Sequence, residues 1–214
     1  WKGDKSVLYE LLPAIKDEFL SNTISITENM TKRGGGIIDI DLIDHSDEIP
    51  FYYQFFVTFN TCDSMGANFI NSILEAFGHT LQDFFRRQEH LDDGDRNVEI
   101  IMCILSNYTP ECRVKVWVEC PVSELDNVDE FLDGEQFAHK FKKAVDIAHI
   151  DPYRAATHNK GIYNGIDAVV IATGNDFRAT EAAGHSYASR DGRYKSLSYV
   201  EINEGIFRFT LEVP

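Results

Sequence analysis

From Asp151 to Arg190 the chain reads DPYRAATHNKGIYNGIDAVVIATGNDFRATEAAGHSYASR, and the period of its apolar residues decides which elements this stretch can form. AVVIAT has strand composition, yet Ile162, Ile166, Val169, Val170 and Thr173 fall at helical spacing, and 161–173 is too long for a typical strand. The spacing predicts a helix. Asn175 or Asp176 can then cap a second helix, whose Ala179, Ala182, Ala183 and Ser186 make a small-residue face suited to close packing. Upstream, Phe137, Phe141, Ala144, Val145 and Ala148 keep a 3.6-residue stripe that leads straight into Asp151. Downstream of Asp191-Gly192 the pattern changes to alternation. YKSLSYVEI, a turn at Asn203-Glu204-Gly205 and IFRFTLEV read as a β-hairpin.

The first half of the chain reads as a separate unit. Val7, Leu8, Leu11, Leu12, Ile15 and Phe19 predict an amphipathic helix over 5–20, disturbed at Pro13. After Gly34-Gly35-Gly36, Ile38, Ile40 and Leu42 alternate with Asp39 and Asp41 as in a half-exposed strand, and FYYQFFVTFNT at 51–61 reads as a second. From about Met65, the stripe Ile70, Ile73, Leu74, Phe77, Leu81 and Phe84 predicts another helix. Helix, strand, strand and helix make an α+β unit over 1–96, closed by the polar run HLDDGDRN at 90–97. In the remainder, 97–214, EIIMCILS (99–106) and RVKVWVEC (113–120) read as paired strands joined through NYTPE.

At 214 residues and 43% hydrophobic content the chain buries a real core and is not disordered. Its apolar runs are far too short to span a bilayer, so no membrane segment is expected. Thirty-five acids against 20 bases give a net charge of -15, which repels nucleic acid and anionic lipid. Any anionic ligand must therefore find local positive charge. The four cysteines, at 62, 103, 112 and 120, form no C-x-x-C pair and no zinc-finger spacing with histidine, so neither disulfide nor metal is assigned. Cys62 and Cys103 lie in apolar runs and read as buried free thiols. Of the seven histidines only His158 stands inside a dense motif, where it reads as structural.

Two places carry chemistry. Arg154 offers a planar fork suited to a carboxylate, Lys160 is a second cation, and Asp176 sits in a Gly-Asn-Asp turn, with glycines at 161, 165 and 174 punctuating the stretch. Each of these charges taken alone also fits an ordinary surface ion pair. The second place is DSMGAN at 63–68, at a strand-to-helix junction, where a glycine in the first helical turn lets an anion approach backbone N–H groups. A packing glycine is the alternative reading of Gly66, and the G-x-G-x-x-G of a Rossmann fold is absent.

Together the two motifs carry a resemblance. DPYRAATHNKGIYNGIDAVVIATGNDFRA is similar, almost position for position, to the active-site segment of hydroxymethylglutaryl-CoA reductases of the bacterial soluble class, class II, and DSMGAN resembles that family's DAMGAN dinucleotide-binding motif. The resemblance implies a small ferredoxin-like, non-Rossmann nucleotide-binding domain at 1–96 and part of a larger α/β-type catalytic, dimerising domain at 97–214. By resemblance, Asp63, Met65, Gly66 and Asn68 bind NADPH or NADH, with Ser64 in place of the usual alanine. Lys160 stabilises the substrate oxygen, Asp176 holds the lysine and links it to proton transfer, Arg154 grips the free carboxylate of the CoA ester, and Asn164 joins the polar network around the lysine.

The implied reaction interconverts hydroxymethylglutaryl-CoA with mevalonate and CoA using two equivalents of NAD(P)H, in a cytoplasmic homodimer whose active sites lie between subunits. The small-residue helix at 178–187 suits packing against that neighbour. The acid that marks NAD preference in relatives aligns nearest to Thr27, with Glu28 adjacent, so either nucleotide is compatible. The family's catalytic glutamate and flap histidine match nothing in this sequence, which begins without Met and ends in mid-pattern, and so looks like an internal portion of a longer enzyme. The alternative is a CoA-ester and nucleotide-binding module or dimer scaffold that does not turn over.

Overall fold

The computed structural model describes residues 1–126 and 128–214. It divides into two compact units, Trp1–Leu105 and Ser106–Pro214. The division falls beyond the polar run at 90–97 rather than within it, because Val98 is buried and Ile100 packs with it against the first unit's core. Both units mix helices with antiparallel sheet, the α+β class expected.

In the first unit, helices α1 (Lys5–Asn22), α2 (Ile24–Lys32) and α3 (Ala67–Arg86) accompany a two-stranded sheet of β1 (Gly36–Asp44) and β2 (Tyr53–Asn60). Asp4 caps α1 by accepting from the Ser6 N–H at 2.9 Å. The helix runs unbroken through the exposed Pro13, whose missing N–H removes one rung of the ladder without ending it. Phe19 joins α1 to the rest of the core: its ring stacks on Phe77 of α3 at 4.2 Å and meets Phe55 of β2 edge-on at 5.1 Å. Helix α2 has no counterpart in the sequence reading, since Thr, Ser and Asn dilute its apolar stripe. It starts at Thr23, fully buried, whose hydroxyl donates to the Phe19 carbonyl at 2.8 Å.

Strand β1 departs from simple alternation. A register shift between Ile37 and Asp39 leaves Ile38 63% exposed while Ile40 is 3% exposed, so the bulge turns one isoleucine out of the predicted row and admits Ile37 to the core. The strand expected at 99–106 does not form. Its ends are taken by side chains of α3: Gln82 donates to the Val98 carbonyl at 3.2 Å, and the Leu105 N–H donates to Asn71 at 3.0 Å. Nor does it pair with 113–120, which lies in the second unit and finds a different partner.

The second unit has a three-stranded antiparallel sheet in the order β3 (Val114–Pro121), β5 (Ile206–Val213), β4 (Ser198–Asn203). The β4–β5 hairpin turns at Glu204 (φ 53°) and Gly205 (φ 78°), the two positive-φ positions that a tight two-residue turn requires. Helix α4 (Gly134–Ile150) covers the sheet with Ala138, Val145 and Phe141, whose ring lies 5.6 Å from Phe207 and 5.9 Å from Phe209. Helices α5 (Pro152–Ala172) and α6 (Phe177–Ala188) follow. The segment 194–197, predicted to belong to the hairpin, is instead a strap between α6 and β4. No helix among the described residues is long and apolar enough to cross a membrane.

The bulge can be tested directly. Ile40→Ala should lower the unfolding free energy by about 2–5 kcal/mol, and Ile38→Ala by no more than about 0.5 kcal/mol, in urea titrations. Equal losses would put both side chains on the buried face and remove the bulge.

Candidate active site

Helix α5 is set by a strong local start. Asp151 accepts from the Tyr153 N–H at 2.9 Å as N-cap, and Pro152 occupies the first turn, where its missing N–H costs nothing. The buried side of the helix holds Ala155, Asn159 and Tyr163. Asn159 is fully buried: its amide donates to the Lys195 carbonyl at 2.9 Å, and its carbonyl accepts from the Leu197 N–H at 3.1 Å. His158 contacts Ser198 Oγ through Nε2 at 2.7 Å, and His149 of α4 contacts the Ser198 carbonyl at 2.9 Å. The structural role expected of His158 is therefore what its contacts describe. Burial, then the nearby Arg154 and His149 charges, hold its pKa below the ordinary histidine value.

The strap at 194–197 is pinned from three sides. Besides Asn159, the Lys195 N–H reaches the Ala188 carbonyl at the end of α6, and the Ser196 N–H reaches the Ala148 carbonyl of α4. Tyr163 completes the seat by donating to the Thr180 carbonyl of α6 at 3.2 Å. Burial, followed by Tyr194 and Asp167 nearby, pushes this phenol up to about 12. Gly184 lies directly over the Tyr163 hydroxyl, where any Cβ would overlap it. The small-residue face of α6 is divided: Ala179 and Ala183, with Gly184 beside them, are buried inside the unit, while Ala182 and Ser186 are exposed. Asn159, Tyr163 and Gly184 were missed as anchors from sequence. The signal was present in their 159-163 spacing of one helical turn, on the same side as Ala155.

The four proposed chemical residues of this unit, Arg154, Lys160, Asn164 and Asp176, are all exposed. On α5, Lys160 and Asn164 stand one turn apart on one stripe. Arg154, Gly161 and Gly165 make a second exposed stripe, and the space above both glycines is open. A bare glycine stripe beside a cation lets a ligand lie against the helix surface. The turn into α6 uses Gly174 at φ 72°. Asp176 then caps α6, accepting from the Arg178 and Ala179 N–H groups at 3.0 and 3.2 Å. The Ala179 N–H above all, with the Arg178 charge, holds the Asp176 carboxyl below the usual carboxylate range.

Asp176 also faces the Arg178 guanidinium at 3.5 Å. Lys160 makes no ion pair among the described residues, so the structure does not bring Lys160 and Asp176 together. It brings Lys160 beside Asn164 and leaves Asp176 on the adjoining helix cap.

In the first unit, DSMGAN lies where β2 passes into α3. Thr61 and Ser64 cross-bond, hydroxyl to carbonyl, at 2.6 and 2.8 Å, and close a tight turn. Gly66 follows at φ 74° as N-cap of α3, packed so closely on Thr61 that a Cβ would overlap the Thr61 side chain. Both the left-handed backbone and the packing require glycine here. No side chain caps the helix, and Asp63, Met65 and Asn68 are exposed around its open N-terminus. Thr27, the residue aligned with the nucleotide-selecting acid, donates to the Thr23 carbonyl, and Glu28 pairs with Lys32 at 2.6 Å. Cys62, expected to be buried, is exposed in the same turn at φ 53°, because the strand ends at Asn60. Among the described residues no three His, Cys, Asp or Glu side chains gather as for a metal ion.

Comparison with known proteins then decides the family. The family profile described as hydroxymethylglutaryl-coenzyme A reductase matches residues 5–214. The chain belongs to this reductase family. A 3-hydroxy-3-methylglutaryl-coenzyme A reductase of Archaeoglobus fulgidus is 33% identical over 204 residues, which is 93% of this chain and 42% of the relative. A structure of the Streptococcus pneumoniae reductase is similar over 100% of this chain and 48% of its own, at 34% identity and TM-score 0.77. The class II reductase of the same organism, bound to NADPH in open conformations, covers 96% of this chain at 35% identity and TM-score 0.75, with 52% of its own chain matched. The chain thus spans about half the length of the reductases it matches.

Proposed function

We propose that this chain carries the nucleotide- and ester-binding portion of a reductase that interconverts hydroxymethylglutaryl-CoA with mevalonate and CoA. The observation that carries this reading is the α5–α6 hairpin, where Arg154, Lys160, Asn164 and Asp176 of the family motif are the side chains left outside while Asn159 and Tyr163 anchor its inner face. An NADPH-bound relative supports a nicotinamide nucleotide as hydride source, with Asp63, Met65, Gly66 and Asn68 as the residues that would hold it.

Reduction of a thioester to an alcohol takes two hydrides, and each addition places negative charge on the former carbonyl oxygen. Lys160 is the group assigned to that charge, a role whose removal costs about 100- to 1,000-fold in rate in comparable sites. Asn164, one turn on, donates to the same oxygen or fixes the lysine. Asp176 holds the lysine charged in the loaded site, which requires its carboxylate to turn from Arg178 toward Lys160. Both side chains are exposed and free to do so. Arg154 takes the substrate's free carboxylate as a bidentate partner. In a chain of net charge -15, these two cations supply the local positive field an anionic ester needs.

A second reading, a binding module without turnover, is favoured by one observation: Lys160 has no carboxylate partner among the described residues. Steady-state kinetics on the full-length enzyme separates the two. Asp176→Asn keeps the helix cap, since asparagine caps as well as aspartate, and should lower kcat about 100-fold or more with little change in KM. Lys160→Ala should cost at least as much, and the double variant far less than the product of the two losses. Arg154→Ala should chiefly raise KM for the ester. A near-normal kcat for Asp176→Asn, or independent multiplication of the two losses, would reduce the pair to an ordinary surface arrangement.

A homodimer, or a multiple of one, is part of the same proposal. Its support is β3, an edge strand exposed on both faces with Val114, Val116, Trp117 and Val118 each at least 50% accessible. Sedimentation equilibrium should show a dimer that Trp117→Lys dissociates. A dilute, folded monomer that still binds nucleotide and ester would count against it.

A further inference from the structure

Inside the second unit lies a polar cluster whose members come from α4, α5, the strap and β4. His158 of α5 contacts Ser198 Oγ through Nε2 at 2.7 Å, and His149 of α4 contacts the Ser198 carbonyl through Nε2 at 2.9 Å. Ser196 and Ser198 are buried, with their hydroxyls 3.1 Å apart. The Ser196 hydroxyl accepts from the Ser198 N–H and donates to the Ser198 carbonyl, each at 3.0 Å.

Counting donors separates the two histidines. A carbonyl only accepts, so His149 Nε2 carries a hydrogen in every state of the cluster. His158 is not bound in this way. With its ring neutral and the hydrogen on Nδ1, its Nε2 accepts from the Ser198 hydroxyl. With the ring protonated, Nε2–H donates to Ser198 Oγ, and the Ser198 hydroxyl turns to Ser196 Oγ, which has a lone pair open to it. Both states keep the Ser198 hydroxyl and His158 Nε2 partnered, so His158 takes up a proton without breaking up the cluster.

What opposes that proton is charge. Arg154 stands one helical turn before His158 on α5, a spacing that puts Cβ atoms about 5–6 Å apart. From α4 His158 faces His149, whose ring stacks on Tyr199 at 4.9 Å, and from β4 it meets the Ser198 hydroxyl. Burial first, then the Arg154 and His149 charges, disfavour the imidazolium. Arg154 makes no ion pair among the described residues, and a carboxylate seated on it would remove most of its repulsion. We propose that Arg154 and His158 form a proton-linked pair: the carboxylate that Arg154 takes is bound together with a proton drawn from solvent onto His158. The inference rests on the assignment of Arg154 to the substrate's free carboxylate. By reciprocity, the factor that the carboxylate adds to proton affinity at His158 is the factor that the proton adds to carboxylate affinity at Arg154. Binding is therefore tighter below the His158 midpoint than above it, and release of the carboxylate returns the proton.

Hydrogen exchange at the imidazole Cε1, followed by mass spectrometry on the full-length enzyme, reads the titration midpoint of each histidine separately. Mevalonate is the probe, because it carries the carboxylate without the CoA phosphate that titrates in the same range. Saturating mevalonate should raise the His158 midpoint by about 0.5–1 on the pH scale. Arg154→Gln, at an exposed position, should raise that midpoint without ligand and abolish the response to mevalonate. In calorimetric titrations the mevalonate Kd of the parent should fall about three- to tenfold between about pH 8 and about pH 5.5, and that of His158→Gln should stay level. A His158 midpoint that mevalonate leaves in place while bound, or that Arg154→Gln leaves in place, overturns the pairing, and these two readings decide it even if His158→Gln misfolds. Parent-like pH dependence in a folded His158→Gln overturns it equally. None of those results touches the assignment of Arg154, which fails on a different one: Arg154→Gln binding mevalonate as tightly as the parent overturns both.

Discussion

The amide of Asn159 is the contact on which the second unit turns. It is a polar side chain with no exposure, and it satisfies one donor and one acceptor of the strap that leads into β4. Buried amides of this kind are expensive to leave unmatched, so the two bonds fix both the rotation of α5 about its axis and the height of the strap. Tyr163, one turn on, repeats the arrangement against α6, and Gly184 allows the phenol to come that close. With that side of α5 committed, Lys160, Asn164 and Arg154 have only solvent to face. The site's geometry is a by-product of its anchorage.

Electrostatics gives the exposed face its character. The chain as a whole repels anions, and Arg154 and Lys160 are the cations that α5 contributes against that background. Asp176 has a double bond of duty: the N–H groups of α6 keep its carboxyl ionised, and the same groups fix its position at the helix start. Replacing it by asparagine preserves the cap and removes the charge. The two functions of one side chain are therefore separable by experiment.

Much of this was legible in the sequence. The α5–α6 pair followed from the spacing of Ile162, Ile166, Val169 and Val170, the cap from Asp176, and the hairpin turn from Asn203-Glu204-Gly205, because each is a local pattern that local physics decides. What failed was non-local. The segment 99–106 has strand residues, but a strand exists only where a partner offers a ladder. Ile38 obeyed the alternation until a bulge turned it out, and Cys62 looked buried by its neighbours until the strand stopped before it. The inward role of Ala179, Ala183 and Gly184 depended on Tyr163, a residue far away in sequence whose phenol no periodicity could place.

The division of one motif into anchors and carriers of chemistry is most directly measured by urea unfolding of Asn159→Ala beside Lys160→Ala. Neighbours in sequence, the two residues differ in everything else: one is buried with two hydrogen bonds, the other exposed and without an ion pair among the described residues. Asn159→Ala should lose about 2–4 kcal/mol, because the Leu197 N–H and the Lys195 carbonyl are left without partners, whereas Lys160→Ala should stay within about 0.5 kcal/mol of the parent. Equal losses, or a larger loss for Lys160→Ala, would contradict the account.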